Sequence, residues 1–142
     1  MSTSQPEATV ELSIPSRPEY VGVARLAILG VASRMRFSYD EVEDIRLAVG
    51  EACTSVLDRI EGQADAAPIR IRCLIDAGRL TVEVTDSVPT AAKRNTMPAE
   101  GGLPDDVALG GVLIRILMDE VTAEEDLAAG THTIRMVKYV AR

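Results

Sequence analysis

The chain has 142 residues, of which 46% are hydrophobic and 26% are charged, an ordinary composition for one globular domain. Its formal net charge of −7 argues against nucleic acid as the main partner, because no excess of basic side chains is available to neutralise phosphates. A single histidine and two cysteines without CxxC spacing argue against a zinc site.

The first residues are polar and contain no apolar stretch of the kind found in signal peptides. No apolar run approaches the length needed to cross a membrane. Cys53 and Cys73 are expected to be buried thiols in a reducing compartment, so the sequence predicts a cytoplasmic protein. Residues 1–8 are expected to form a flexible tail, and 9–142 to form one domain.

The first part of the chain predicts one strand and two helices. Apolar and polar residues alternate over 9–14, as in a strand, and helical spacing follows over 19–34. Asp40 with Glu43 three residues later has the spacing of a capping box, which predicts a second helix over about 40–61. The buried face of that helix is predicted to contain Val42, Ile45, Val49, Ala52, Val56 and Ile60.

The middle of the chain predicts a β-hairpin followed by a long loop. Apolar residues alternate over 69–75 and again over 80–85, with a tight turn at Ala77-Gly78 and an end at Asp86. From 87 to 109 no periodicity is visible, and Pro and Gly interrupt the chain repeatedly. A loop of this length inside a compact domain is usually functional or disordered.

The last part of the chain predicts a helix and two strands. Gly110-Gly111 leads into an apolar helix over 112–118, and strands over 120–124 and 131–140 follow. The complete order is β-α-α-β-β-loop-α-β-β. Strands and helices grouped in this way predict an α+β two-layer sandwich, with a mostly antiparallel sheet and the helices packed on one face.

Three features carry possible chemistry. Glu51 and Ser55 are four residues apart and share one face of the second helix, which suits either a general base beside a metal-facing oxygen or an ordinary surface pair. Asp86 at a strand end can accept a hydrogen bond from a ligand's amino group or simply form a turn. Gly110-Gly111, expected at the start of a helix, can leave N–H groups free for phosphate or serve as a flexible junction.

Together these features and several longer stretches resemble a known family. The stretches are PEYVGVARLAILGVASRM (18–35), YDEVEDIRLAVGEACTS (39–55), LMDEV (117–121) and VKYV (137–140). They resemble the anti-sigma-B factors and serine-protein kinases of the RsbW type, in the histidine-kinase-like ATPase superfamily with the Bergerat fold. The resemblance covers about residues 9–140.

The resemblance implies a regulator of stress-response transcription that works by switching partners. Members of the family bind a sigma factor as a homodimer and keep it from RNA polymerase. They also bind a small anti-anti-sigma protein with a STAS domain and phosphorylate it on Ser or Thr, using ATP and Mg²⁺. The loop at 87–109 would then be the ATP lid.

The resemblance also assigns roles to residues on the second helix and the hairpin. Glu51 matches the general base, and Ser55 stands where the family has a Mg²⁺-binding Asn, so it could reach the ion only through water. Asp86 matches the adenine-binding carboxylate of a D-x-G box in which Val88 replaces the glycine. A β-branched residue there disfavours a positive φ and a close backbone approach.

The remaining assignments concern the second glycine box and the last strand. Gly110 and Gly111 match that box with one glycine of its usual pair lost, or else 100–103 forms the box with an insertion after it. Arg94 is a candidate for an arginine beside the γ-phosphate, and Thr133 matches a Thr near the nucleotide.

The first helix is the expected partner surface, with Glu19 and Arg25 as candidate contact residues or, alternatively, as part of a solvated helix face. Three functions remain open at this point. The first is a sigma-binding switch with kinase activity, and the second is a catalytically inactive relative that binds partners without nucleotide. The third is an assembly or regulatory protein that reuses the scaffold.

Overall fold

The computed structural model describes residues 5–60, 66–87 and 105–141. The elements are β1 (Ala8–Ile14), a 3₁₀ turn (Pro18–Tyr20), α1 (Val21–Ala32), α2 (Tyr39–Arg59), β2 (Ile69–Asp76), β3 (Arg79–Asp86), α3 (Asp105–Leu117), β4 (Glu120–Asp126) and β5 (Thr131–Tyr139). The strands form one sheet of order β1-β2-β3-β5-β4, in which every neighbouring pair is antiparallel. The predicted α+β sandwich is confirmed. None of the described helices is long and apolar enough to span a membrane.

The core lies between the sheet and the helices. Helix α2 packs on β3 in the middle of the sheet, and α1 and α3 both contact α2. The α2 side chains predicted to be buried are all buried, namely Val42, Ile45, Val49, Ala52, Val56 and Ile60. The alternation of the hairpin is confirmed too, because Ile69, Ile71 and Cys73 are buried beside the exposed Arg70 and Arg72.

The start of α2 differs from the predicted one. Ser38, not Asp40, is the N-cap: its hydroxyl accepts a hydrogen bond from the Glu41 N–H at 3.1 Å, and the Glu41 carboxylate accepts one from the Ser38 N–H at 2.7 Å. The capping box therefore lies two residues earlier than predicted. Both spacings fit the S/T/D-x-x-E pattern, and only the backbone of Ser38, which is extended before the first helical turn, distinguishes them.

The loop predicted over 87–109 is wrong at its end. Residues 105–109 already belong to α3, so Gly110 and Gly111 are the sixth and seventh residues of a helix and do not begin it. The rest of that loop, from 88 to 104, lies outside the described residues. β4 and β5 are joined by a turn in which Gly130 has a positive φ of 71°, which glycine adopts at little cost.

The helix cap gives a first testable expectation. Ser38→Ala should lower the free energy of unfolding by about 1 kcal/mol, since it leaves an N–H at the start of α2 without its acceptor. Asp40→Ala, the matched control, should lower it by less than about 0.5 kcal/mol, because its side chain contributes only its charge near the helix N-terminus. Urea denaturation measures both values. An equal or larger loss for Asp40→Ala would contradict the assignment of the cap.

The two thiols are buried and unpaired. Burial raises the pKa of Cys53 from 9.0 to about 12, an effect that the nearby positive charge of Arg25 only partly offsets. Burial alone raises the pKa of Cys73 from 9.0 to about 11. Both thiols are therefore protonated in the folded protein at neutral pH and are poor nucleophiles.

These pKa values predict how stability depends on alkaline pH. A thiol whose pKa is higher in the folded state stabilises the fold below the unfolded value of 9.0 and loses that contribution as the pH rises towards 11–12. The free energy of unfolding should therefore fall above pH 9, and less steeply in Cys53→Ala. Alkylation by iodoacetamide at pH 8 should be at least about a hundredfold slower in the folded than in the urea-unfolded protein. Equal alkylation rates would contradict the burial of the thiols.

Candidate functional site

Three titratable side chains form a row across the sheet on the face that carries the helices. Asp86 at the end of β3 is in register with His132 of β5, and His132 is in register with Glu125 of β4. The His132 Nδ1 lies 3.3 Å from an Asp86 oxygen, and its Nε2 lies 3.0 Å from a Glu125 oxygen. A carboxylate on each side of the imidazole can orient the ring.

Helix α2 adds a fourth member to this row. The Arg59 guanidinium donates a hydrogen bond of 2.8 Å from Nη2 to the Asp86 Oδ2. The two side chains are only 15% and 4% exposed, so the pair is largely removed from water. Arg59 also donates from Nε to the Ser55 carbonyl oxygen at 3.4 Å, within the last turns of α2. We call Arg59, Asp86, His132 and Glu125 the Asp86 network.

A cleft of about 220 Å³ opens beside the Asp86 network. It is lined by Ser55, Arg59, Ala123, Glu124, Glu125, His132, Thr133 and Ile134. Asp86 itself does not line this cleft, although Arg59 and His132, which contact its carboxylate, both do. The carboxylate therefore lies behind these two side chains as seen from the cleft.

Glu51 lies on α2 one turn before Ser55 and two turns before Arg59, so these residues follow one side of the helix at spacings of four. All three are partly exposed and border the buried stripe of the helix. The structure thus brings Ser55 to the cleft beside Asp86 and His132 and leaves Glu51 further along the same side. A carboxylate and a hydroxyl in this arrangement offer hard oxygen donors.

Thr133 does not share the face of Asp86. Successive residues of a strand point to opposite sides of the sheet, and the Thr133 hydroxyl pairs with that of Thr85 at 2.9 Å on the side without helices. The β5 side chain beside Asp86 is that of His132. Thr133 nevertheless lines the cleft beside the Asp86 network, and its role near the nucleotide stays a prediction.

The glycine positions also need correction. Gly110 and Gly111 lie past the first four helical residues of α3, whose N–H groups alone are free of intrahelical hydrogen bonds. They therefore do not present the helix N-terminus on which their predicted contact with phosphate depended. Val88, Arg94 and the alternative glycine box at 100–103 lie outside the described residues.

A second, larger hollow of about 550 Å³ lies on the side of the sheet without helices. Three of its lining residues, Glu11, Arg72 and Glu83, belong to an alternating row in register across four strands that ends in Arg135. The N–O distances in this row are 3.4, 3.6 and 2.9 Å. Of the predicted site residues, only Thr133 borders this hollow. The larger hollow therefore does not bring the predicted site residues together. The cleft of about 220 Å³ is the better candidate for the functional site.

The two predicted partner contacts differ in accessibility. Glu19 is exposed in the 3₁₀ turn before α1. Arg25 is partly buried, and its guanidinium lies over Gly50 of α2, where any side chain larger than hydrogen would collide with it. Arg25 thus contributes to the contact between α1 and α2, whereas Glu19 is free to meet a partner.

Sequence reasoning missed Arg59, His132 and Glu125. Two signals were present: Arg59 continues the spacing of four set by Glu51 and Ser55, and His132 is the only histidine in the chain. Glu125 carried no signal of its own, because it is one of several acidic residues of β4. Its role depends on strand register.

The Arg59–Asp86 pair gives a prediction about stability. Asp86→Ala should lower the free energy of unfolding by about 3 kcal/mol, because it leaves a largely buried guanidinium and imidazole without their carboxylate. Asp58→Ala, an exposed position on the same helix, should change it by less than about 0.5 kcal/mol. Denaturation of both variants with guanidinium chloride measures these changes in the free energy of unfolding. Equal small effects would show that the ion pair contributes nothing to the fold.

Comparisons with known proteins agree on one family. Residues 14–138 match the histidine kinase-like ATPase domain. The serine-protein kinase RsbW of Halalkalibacterium halodurans is 35% identical, over 100% of this chain and 89% of that protein. The serine-protein kinase RsbW of Bacillus subtilis is 34% identical, over 92% of this chain and 85% of that protein.

Two solved structures share the fold at low sequence identity. One contains the RsbU and RsbW domains of Rv1364c from Mycobacterium tuberculosis, with a TM-score of 0.69 and 13% identity; the match covers 96% of this chain and 33% of that one. The other is the SiaB–SiaC complex from Pseudomonas aeruginosa, with a TM-score of 0.62 and 11% identity, covering 92% of this chain and 89% of that one. These similarities confirm the histidine-kinase-like ATPase fold.

Proposed function

This chain belongs to the RsbW family of histidine kinase-like ATPase domains, and we propose that it is a partner-switching anti-sigma factor. In this proposal it sequesters an alternative sigma factor in the cytoplasm, as a homodimer, in response to stress. It also binds an anti-anti-sigma protein of the STAS-domain class and phosphorylates it on Ser or Thr with ATP. The observation that carries the proposal is the match, over almost the entire chain, to proteins named serine-protein kinases.

The proposed transfer needs a base for the attacking hydroxyl. The Glu51 carboxylate accepts the proton of the antagonist's Ser or Thr while the γ-phosphoryl group passes from ATP to that oxygen, leaving ADP. A carboxylate on a rigid helix suits this role, because most of the catalysis in phosphoryl transfer comes from positioning and charge. Asp86 would recognise the amino group of adenine through its carboxylate.

Oxygen atoms on α2 are of the chemical type that Mg²⁺ binds. Mg²⁺ prefers hard oxygen ligands, retains several waters, and is usually held by few protein groups together with nucleotide phosphates. Ser55 would supply a protein oxygen, through water because its side chain is short, and Glu51 would stay free of the ion as the proton acceptor. When bound, the ion would neutralise charge on the phosphates. The nearest cation on the same side of the helix, Arg59, is already paired with Asp86.

A second candidate function has its own supporting observation. The Asp86 carboxylate is held by Arg59 and contacts His132, so it is engaged before any nucleotide arrives. In a chain that binds its partners without nucleotide, Asp86 would stay paired with Arg59 at all times. Exchange of the sigma factor for the antagonist would then depend on concentration and relative affinity.

One substitution separates the two candidates. We expect the wild-type protein, incubated with Mg²⁺, labelled ATP and each STAS-domain protein of the same organism, to label one of them. Glu51→Gln should reduce the labelling rate by at least about a hundredfold, since the proton acceptor is lost, and should leave the complex with the antagonist intact. Asp58→Asn, an isosteric change on the exposed side of α2, should keep both activities.

The remaining outcomes are equally informative. Complex formation without labelling by the wild type would favour the nucleotide-independent candidate. Full labelling by Glu51→Gln would contradict the role of Glu51. Absence of both labelling and complex formation would overturn the partner-switching proposal.

A further inference from the structure

We propose that Arg59 is an internal counter-ligand of Asp86 that sets the nucleotide affinity of this chain. Its guanidinium occupies the carboxylate that the nucleotide base has to reach, and the base binds only after this ion pair opens. The inference rests on the proposed function, which makes Asp86 the carboxylate that recognises the base.

The contacts of Asp86 are the first argument. One carboxylate oxygen accepts from Arg59 at 2.8 Å, and the other lies 3.3 Å from the His132 ring nitrogen. A hydrogen bond from a guanidinium to a carboxylate is charge-assisted and stronger than the bond that a neutral amino group of a base can donate. A base therefore cannot displace Arg59 by its amino group alone and must gain the difference from other contacts.

The position of Arg59 is the second argument. Arg59 and His132 line the cleft of about 220 Å³, whereas Asp86, only 4% exposed, does not line it. Sites for nucleotide-sized ligands usually have volumes of about 300–1,000 Å³. Withdrawal of the long Arg59 side chain would enlarge the cleft and connect it to the Asp86 carboxylate in a single movement.

The Arg59 side chain can move away from Asp86 into solvent. Arg59 is the last residue of α2, and its further described bond, from Nε to the Ser55 carbonyl, is long at 3.4 Å. It is 15% exposed, so part of the side chain already reaches solvent. A swing into water keeps the charge solvated, and Asp86 keeps its contact with His132. The pair can therefore open without unfolding of the sheet or of α2.

The effect on affinity follows from the fraction of molecules in which the pair is open. The apparent dissociation constant equals the intrinsic one divided by the open fraction, so an open population of about 1–10% weakens binding by about tenfold to a hundredfold. Removal of the guanidinium should therefore tighten nucleotide binding by the same factor. Arg59 is thus an affinity-determining residue, and it acts through Asp86.

The test is calorimetric titration with Mg·ATP of the full-length wild type and of Arg59→Met, which keeps the length of the stem and removes the donors. We expect Arg59→Met to bind at least about tenfold more tightly than the wild type. Arg36→Met, an exposed arginine in the turn after α1, is the matched control for the change in net charge and should bind as the wild type does. Unchanged binding by Arg59→Met, including no detectable binding by either protein, would overturn the proposal.

A second pair of variants ties the gain to Asp86. Asp86→Asn in the Arg59→Met background should abolish the increase in affinity for Mg·ATP. An increase that persists in this double variant would overturn the proposal. If Arg59→Met does not fold, Arg59→Lys decides, because lysine keeps the charge but lacks the fork of the guanidinium. It should bind at least about threefold more tightly than the wild type, and equal binding would overturn the proposal. ATP is the only ligand in this test, so its failure is distinct from a failure to bind sigma factor or antagonist.

Discussion

Helix α2 packs against the central strand of the sheet, and the burial of its apolar side fixes the rotation of the helix about its own axis. Ala48, Val49, Ala52 and Val56 are at most 1% exposed. Full burial of a valine side chain contributes about 1.5–3 kcal/mol and that of an alanine methyl group roughly 0.8 kcal/mol, so any other rotation of the helix would lose several kcal/mol. Helices α1 and α3 both pack on α2, and their positions follow from it.

The same constraint decides which polar side chains reach the site. With the apolar side of α2 turned to the sheet, the residues at its border follow one another at spacings of four and end in Arg59, opposite the end of β3. The β3–β5 register then places His132, and not Thr133, beside Asp86. A slip of one residue would exchange the faces of the sheet and dismantle the Asp86 network.

The two candidate functions differ in one physical quantity, the free energy needed to separate Arg59 from Asp86. A buried ion pair is costly to break by removing one partner, but it contributes little net stability when both partners are present. In the proposed function, the chain would therefore keep Asp86, the carboxylate assigned to base recognition, inside a stable fold while making it less accessible to a nucleotide. In this proposal, how readily Arg59 leaves Asp86 would decide between a kinase and a nucleotide-independent binder, while the exposed Glu19 before α1 remains accessible in either case.

The sequence by itself determined the order of the elements, the antiparallel hairpin, the buried side of α2 and the family, because these depend on local periodicity and on extended motifs. It also singled out Glu51, Ser55 and Asp86 through the family resemblance, and their roles stay predictions. It misplaced the cap of α2 by two residues and the start of α3 by about seven, since both Ser38 and Asp40 suit a cap and glycines do not always begin a helix. Only the tertiary structure decided that Arg59 and His132 meet at Asp86, that Glu125 contacts His132, and that the Thr133 hydroxyl lies on the opposite side of the sheet. The contacts of Asp86 with Arg59 and His132 join residues 27 and 46 positions apart in the chain. Strand register and the rotation of a helix on a sheet are set by packing of the whole core, which no local pattern encodes.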